Sequence, residues 1–422
     1  MKKQRRKSNE PIPRKASPSV SGTVWWRSDW AFAALLAVVL FIVYAPAWYG
    51  QPIWDDDNYL TPTKLQSWTG LKEIWVEPGT TAQYYPLVYT TFWLESHLWG
   101  QVPLGYHLLN ILLQSISAFL LLKILRNLNI PGAALAAALF ALHPVQVETV
   151  AWMTELKNCL SGVFCLASLL MYLHFNRNRR ATAYVLALVL FVAALLSKSV
   201  TATLPAALLV IFWWKNGRLA WKKDFLPLIP FFTLGIGFGL LSAWMERTFV
   251  GAVGARYNLS MVERCLLAAR ALAFYLGKVV WPQNLTFIYP RWQIDASVWW
   301  QYIYLLAVLG SLVLLWLYRK KNRAGIAAFL LFAGTLFPAL GFFNVFPFRY
   351  SFVADHFQYL ACIVPLTLAS ASDTVWTGLL VACETACGEM PAFTILLVRV
   401  TFVVFAVLFV TLVVLLVTLF TV

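Results

Sequence analysis

Three consecutive carboxylates, Asp55, Asp56 and Asp57, follow the first long apolar run of the chain. A charged side chain in or near lipid costs roughly 2.5–3.5 kcal/mol on insertion scales, so ionisable residues there usually line a water-filled cavity and carry function. A carboxylate in such a cavity can act as a general base on a hydroxyl group. We therefore predict that Asp55 or Asp56 is catalytic. A solvated helix cap and a Ca²⁺ loop are the alternatives.

The other charged and histidine side chains that interrupt the apolar sequence fall in several distant segments. Cations among them could neutralise a phosphate leaving group, which is the electrostatic work that transfer from a lipid-linked phosphate requires. A donor of that kind would also account for a membrane location of the protein. The residues that we predict to bind the donor phosphate or the substrate are His107, His143, Glu148, Lys157, Lys198, Arg349, Asp355 and His356.

The first half of this set has structural alternatives. His107 lies four residues past Pro103 and could serve packing at a helix end. His143 precedes a proline and could simply stop a helix, with Glu148 pairing locally to Lys157.

The second half of the set has alternatives of the same kind. Lys198 could be an anchor that extends towards the membrane surface. Arg349 precedes a tyrosine at a predicted helix entrance and could be an interface anchor. Asp355 and His356 could be ordinary charges at a helix N-terminus. We predict neither a cofactor nor a metal, since consecutive aspartates cannot all point at one ion and a divalent metal has no second acidic cluster nearby in sequence.

The composition defines what must position these residues. Of the 422 residues 60% are apolar and 12% charged, and the mean hydropathy is +0.70, which predicts an all-α polytopic membrane protein. The net charge of +15 comes largely from basic clusters at the ends of apolar runs, which is typical of topology signals and not of a nucleic-acid-binding face. Three of the six cysteines lie within predicted spans, and the set predicts neither disulfides nor a zinc site.

Basic clusters also predict the sidedness of the chain. Eight Lys or Arg residues precede residue 30, which places the N-terminus in the cytoplasm and the carboxylate run outside. The apolar piece 265–280 carries basic residues and cannot cross once without breaking this scheme, so we predict a re-entrant or surface-lying helix on the outer side. About 11 transmembrane helices are predicted, at 30–49, 105–125, 132–140, 159–175, 181–196, 201–214, 225–244, 299–317, 325–343, 357–371 and 393–422.

These spans predict three regions. Residues 1–29 form a basic, disordered cytoplasmic tail. Residues 30–371 form the catalytic membrane domain, in which the long first external loop 51–104 contains two or three short interfacial helices. Residues 372–422 form a divergent C-terminal segment that includes the last span.

Five segments of the chain form a recognisable combination. They are 84–94 (YYPLVYTTFWL), 103–110 (PLGYHLLN), 141–152 (ALHPVQVETVAW) with Glu155 and Lys157 beyond it, 195–205 (LLSKSVTATLP) and 353–360 (VADHFQYL). Together they resemble the transmembrane-and-tetratricopeptide-repeat O-mannosyltransferases of the polytopic C-type glycosyltransferase (GT-C) superfamily, and the match extends from about residue 30 to about residue 370. Because the chain ends in apolar residues, we expect it to lack the helical repeats of that family.

The resemblance implies a GT-C-like fold, a polyprenyl-phosphate sugar as donor and an inverting transfer to a hydroxyl. It also implies that an aspartate of the first external loop lies at the reaction centre, which maps to Asp55 or Asp56. The cation near the donor phosphate has three candidates, Lys157, Lys198 and Arg349.

We therefore expect an integral membrane glycosyltransferase that transfers a mannose-like hexose to a hydroxyl, most simply a protein Ser or Thr, on the extracytoplasmic side. Its expected location is the inner (plasma) membrane, or the endoplasmic reticulum membrane in a eukaryote. The alternatives are transfer to a lipid or cell-envelope glycan, and a non-catalytic transporter or scaffold of lipid-linked sugars. A transporter is disfavoured because its charges should lie near the midplane and its sequence should show internal repeats.

Overall fold

The computed structural model describes residues 28–60 and 63–371, and within them the chain is helical with no β-strand. The predicted all-α class is therefore confirmed. Most of the predicted head and the predicted last span, 393–422, lie outside the described residues. The α-helices, labelled α1 to α15 in chain order, are Asp29–Val43, Asp56–Leu60, Trp68–Val76, Pro86–Trp99, Pro103–Asn127, Ala133–Leu142, Val147–Ala151, Leu156–Asn178, Ala181–Ser197, Leu204–Asn216, Ile229–Met245, Met261–Val280, Tyr302–Tyr318, Ala324–Leu336 and Ile363–Ala371.

Several of these helices can cross a bilayer. Within the described residues four stretches are long and apolar enough, namely Pro103–Asn127, Met153–Asn178, Trp221–Val250 and Trp299–Tyr318. A fifth span is present if α6 and the bent segment after it, Pro144–Ala151, count as one. The chain is therefore a multi-pass membrane protein. The number of about 11 spans stays a prediction, since α1, α9 and the stretch 324–339 are apolar but shorter than a full span.

The helices α5 and α8 form the interior of the protein. In the most apolar window of each, 56% and 61% of the residues are buried, against 6% in α13. Tyr172 of α8 packs against Phe231 of α11 with ring centroids 5.3 Å apart, and both side chains are almost fully buried. An interior position on α5 or α8 is therefore shielded from lipid, whereas most of α13 lies at the periphery.

Polar side chains on the buried face of α5 hold the segments that carry the site. The Asn110 amide donates to the carbonyl oxygen of Trp152 at 3.1 Å. The Tyr359 hydroxyl donates to the side-chain oxygen of Gln114 at 2.7 Å. Because an unpaired buried amide would be costly, these bonds fix the loop after α7 and the turn before α15 against α5.

The helix α12 agrees in its shape with the predicted non-spanning helix. It begins with a capping box, in which the Ser260 hydroxyl accepts from the Glu263 N–H and the Glu263 carboxylate accepts from the Ser260 N–H. Leu267 and Tyr275 lie on its buried face, while Met261 at its start is 68% exposed. A helix buried along one stripe and exposed at its ends can lie along a membrane surface.

The loop between α1 and α5 contains the three helices α2, α3 and α4, and α2 and α3 are short. The prediction of short helices in this loop is therefore confirmed, and their position at the membrane interface stays a prediction. Ser67 caps α3 by accepting from the Gly70 N–H at 3.0 Å. Pro86 begins α4, where a missing N–H costs nothing.

Candidate active site

A closed four-residue turn presents the first carboxylate. The Asp56 N–H donates to the Ile53 carbonyl oxygen at 3.0 Å, and the Ile53 N–H donates to Asp56 Oδ2 at 2.8 Å. Trp54 and Asp55 therefore lie at the tip of the turn. Trp54 has a φ of +55°, in the left-handed region that residues other than glycine rarely adopt.

The Asp56 side chain anchors this turn to the segment before α8. Its carboxylate is 1% exposed, and Oδ1 accepts from both the N–H, at 2.9 Å, and the hydroxyl of Thr154. Both oxygens of Asp56 are thus occupied by donors of the protein itself. Asp57 is exposed at the surface of α2. Asp56 consequently holds the turn against the segment before α8, and a catalytic role for Asp55 stays a prediction.

Asp55 lies in the wall of a cavity of about 590 Å³, a volume that suits a small-molecule site. Its carboxylate is half-buried, and Oδ1 is buried without a hydrogen-bond partner in the described structure. Burial raises the pKa of Asp55, Lys157 acts in the opposite direction, and Glu155 and Asp56 add to the rise. The residues that line the cavity are Trp54, Asp55, Asn58, Tyr59, Leu65, Thr80, Thr81, Ala82, Gln83, Tyr89, Glu148, Trp152, Lys157, Phe249, Val250, Phe287, Ile288, Phe346, Pro347, Tyr350, Ser351, Val353, Ala354 and His356.

Lys157 brings a cation to the same cavity. Its Nζ lies 3.0 Å from Glu155 Oε1, and it also lies 5.3 Å from the ring centroid of Tyr59 and 5.2 Å from that of Trp152. Lys198, which does not line the cavity, places its Nζ 3.4 Å from the other oxygen of Glu155, Oε2. Glu155, which is fully buried, therefore holds both ammonium groups in place.

A histidine and a carboxylate from distant segments meet at another part of the wall. Glu148 Oε2 accepts from the His356 N–H at 2.9 Å, and Glu148 Oε1 lies 2.9 Å from His356 Nδ1. The other ring nitrogen, Nε2, lies 3.9 Å from Glu155 Oε1. The local pairing of Glu148 with Lys157 that the sequence left open does not form, because each residue has a closer partner.

The two other predicted histidines lie outside the cavity wall. His107 is buried, and its Nε2 lies 3.2 Å from the carbonyl oxygen of Gly50. His143 Nδ1 accepts from the Val145 N–H at 3.3 Å, and its Nε2 lies 2.9 Å from the Val279 carbonyl oxygen. His143 therefore caps the bend after α6 and ties it to the end of α12.

The last two predicted residues also lie away from the cavity wall. Asp355 is buried, and the Tyr289 hydroxyl donates to its two oxygens at 3.1 and 3.0 Å. Burial first and then the nearby Glu148 raise the pKa of Asp355 to about 8. The Arg349 side chain is exposed, although its neighbour Tyr350 lines the cavity.

Aromatic rings form much of the cavity wall, and sequence reasoning did not single them out. Phe287 lies edge-on to Trp152, with ring centroids 4.9 Å apart, and edge-on to Trp54 at 5.8 Å. Tyr350 meets Trp54 edge-on at 5.2 Å. Among 20 tryptophans and 17 tyrosines, only the position of Trp54 next to the carboxylate run could have marked one of them.

Within the described residues no group of three or more His, Cys, Asp or Glu side chains is arranged to hold a metal ion. The absence of a metal requirement stays a prediction.

The fold and the cavity define a class: an all-α, multi-pass membrane protein with a carboxylate and a lysine in one partly enclosed pocket. Residues 83–244 match the family described as dolichyl-phosphate-mannose-protein mannosyltransferase. This segment includes Glu148, Lys157 and Lys198 but not the aspartate run.

Individual relatives extend this similarity. The chain is 28% identical over 321 residues to protein O-mannosyl-transferase Tmtc1 of Drosophila melanogaster, covering 67% of this chain and 37% of that protein. It is 32% identical over 136 residues to protein O-mannosyl-transferase F38B6.6 of Caenorhabditis elegans, covering 31% of this chain and 19% of that protein. Human protein O-mannosyl-transferase TMTC4 is 31% identical over 160 residues, covering 32% of this chain and 22% of that protein. The resemblance to transmembrane-and-tetratricopeptide-repeat O-mannosyltransferases is confirmed, and this chain spans little more than a third of the Drosophila protein.

Proposed function

We propose that this protein transfers a mannose-like hexose from a polyprenyl-phosphate donor to a hydroxyl group, with inversion at the anomeric carbon. One observation carries the proposal: Asp55 and Lys157, about 100 residues apart in sequence, line the same cavity. A base and a cation on one cavity are what displacement of a phosphate from a sugar requires. The match to a family named for dolichyl-phosphate-mannose supports the choice of donor.

Asp55 is proposed as the general base. Its carboxylate accepts the proton of the acceptor hydroxyl while the hydroxyl oxygen bonds to the anomeric carbon. Burial raises the pKa of Asp55, which makes its ionised form a stronger base than a solvated aspartate. Asp55 lines the cavity, and its Oδ1 has no hydrogen-bond partner among the described residues that would compete for the acceptor proton.

Lys157 is proposed as the group that stabilises the leaving phosphate. As the bond between the anomeric carbon and the phosphate oxygen breaks, the electron pair stays on that oxygen, and the polyprenyl phosphate gains one negative charge. The ammonium group of Lys157 compensates for this charge in a partly buried place, where water screens it weakly. Glu155 holds Lys157 in place by its ion pair, and Lys198 on the other oxygen of Glu155 adds a second positive charge nearby.

The acceptor is proposed to be a Ser or Thr hydroxyl of a protein, because the relatives are named protein O-mannosyl-transferases. The site is proposed to open to the extracytoplasmic side, with the N-terminus in the cytoplasm, on the argument of the basic clusters. Labelling of an Asp57→Cys variant with a membrane-impermeant maleimide in intact cells tests the sidedness. Labelling only after the cells are permeabilised would contradict it.

The activity is tested with the purified full chain in lipid nanodiscs. We expect transfer of radiolabelled hexose from a prenyl-phosphate mannose to Ser- or Thr-containing peptides, and loss of transfer in Asp55→Asn. Asp57→Asn is the matched control, since it removes an exposed neighbouring carboxylate. Transfer only to lipid or glycan acceptors would redirect the proposal to the alternative acceptor class. The proposed function would be refuted if wild type and Asp55→Asn transferred sugar equally, or if wild type transferred none from any labelled donor.

A further inference from the structure

Trp54 has a backbone conformation that its side chain does not favour. It occupies the first central position of the closed turn formed by Ile53 and Asp56, with a φ of +55°. Turns that need a positive φ at this position normally carry Gly, Asn or Asp there, because a larger side chain crowds the backbone. A large ring in such a place implies that the ring itself has a task.

The surroundings of the ring indicate where that task lies. Trp54 lines the cavity and is 53% exposed, although Asp56, two residues on, is almost fully buried. Tyr350 and Phe287 both meet the indole edge-on and fix its orientation. The ring therefore lies at the open cavity in a defined position.

The ring is next to the proposed base, which limits what it can contact. Asp55 follows Trp54 directly and has to reach the oxygen that attacks the anomeric carbon. The residue beside Asp55 is therefore placed next to the sugar. The prenyl chain, in contrast, leaves from the phosphate, and the phosphate is placed at Lys157. A pyranose presents one face rich in C–H groups, which suits the flat electron-rich surface of an indole.

We propose that Trp54 is the platform on which the hexose of the lipid-linked donor stacks, and that it places the anomeric carbon beside Asp55. This inference rests on the proposed function and adds a sugar-binding residue to it. The turn that Asp56 closes is the device that presents both residues: the platform at its first tip position and the base at its second.

The test separates the sugar from the lipid. Binding of two short-chain probes, prenyl-phosphate mannose and prenyl phosphate without sugar, is measured for wild type, Trp54→Gly, Trp54→Phe and Trp68→Ala. Glycine at position 54 removes the ring and suits the positive φ, so the turn that carries Asp55 can still form in this variant. Trp68 is the matched control, since it is 76% exposed and lies outside the cavity wall.

We expect Trp54→Gly to weaken binding of prenyl-phosphate mannose about tenfold, or about 1.4 kcal/mol, and binding of prenyl phosphate less than twofold. Trp54→Phe should retain most of the affinity for the sugar, and Trp68→Ala should match wild type for both probes. Equal weakening for both probes would make Trp54 a lipid contact, and no weakening for either would leave it without a role in binding. Each of these results overturns the inference while the proposed function stands. Failure of wild type to bind prenyl-phosphate mannose at all would overturn both.

Discussion

Replacing Asp55 and Asp56 one at a time by asparagine should have opposite effects on stability. Asp56 accepts from three donors, which belong to Ile53 and Thr154. An asparagine amide has one oxygen, so its NH₂ group must face one of the two backbone N–H groups. That N–H loses its acceptor in a buried place, which costs about 1–3 kcal/mol.

Part of that cost is offset, because burial raises the pKa of Asp56 and so disfavours its charged form. A net loss of about 1–2 kcal/mol in the free energy of unfolding remains, and the melting temperature should fall by a few degrees. Asp55 differs, since one of its oxygens is buried without a partner and burial raises its pKa as well. A neutral amide removes that buried charge, so Asp55→Asn should melt at the wild-type temperature or above it.

The assay is thermal unfolding of the purified full chain, followed by intrinsic tryptophan fluorescence in one detergent at pH 7. The exposed Glu77→Gln variant is the control and should match wild type. The reasoning is refuted if Asp55→Asn is destabilised as much as Asp56→Asn, because Asp55 would then be the residue that holds the turn.

Three further predictions concern the cavity and its surroundings. Lys157→Gln should lower kcat/KM at least 100-fold, because stabilisation of the leaving phosphate is lost. Arg349→Gln, which changes an exposed side chain, should lower kcat/KM less than threefold. Comparable losses in steady-state assays would contradict the role of Lys157. The pKa of Asp355 rises from an ordinary 3.8 to about 8 on folding, so the stability that its protonation contributes is fully present below pH 4 and is lost as the pH rises to 8. The melting temperature of Asp355→Asn, measured relative to wild type, should therefore increase from pH 5 to pH 8. A constant difference would show that Asp355 does not titrate in this range. Gly79→Ala should lower the melting temperature, since the φ of Gly79 is +98° and the new Cβ would lie 2.4 Å from a phenylalanine ring of the cavity wall. Gly239→Ala, whose new Cβ would have nothing within 4 Å, should leave the melting temperature unchanged or raise it. Equal shifts of the two variants in thermal scans would contradict this.

The helices could be predicted from the sequence because lipid imposes a simple rule on apolar runs. The run 105–125 is the helix Pro103–Asn127, and 181–196 is Ala181–Ser197. The proline after His143 predicted the end of a helix, and the structure bends there by 51° between the two helical parts. Such features depend on local sequence alone, which is why they were accessible.

The pairings within the site could not be predicted in the same way. Glu148 and His356 are 208 residues apart, and the hydrogen bond between them depends on how α7 packs against the turn before α15. Nothing in the sequence separates Asp55 from Asp56 either, since the two carboxylates are chemically alike. Only the donors around Asp56, two of them supplied by Thr154 from 98 residues away, distinguish the positioning residue from the free one.

The central claim is that Asp55 takes the proton of the acceptor in the cavity and does little to bind the donor. The most direct measurement is a single-turnover experiment with Asp55→Asn and wild type at saturating prenyl-phosphate mannose, together with the Kd of the donor for both proteins. The account predicts a Kd within about threefold of wild type and a rate of sugar transfer at least 100-fold lower. A wild-type rate in Asp55→Asn, or a loss of transfer that follows entirely from weaker donor binding, would contradict it.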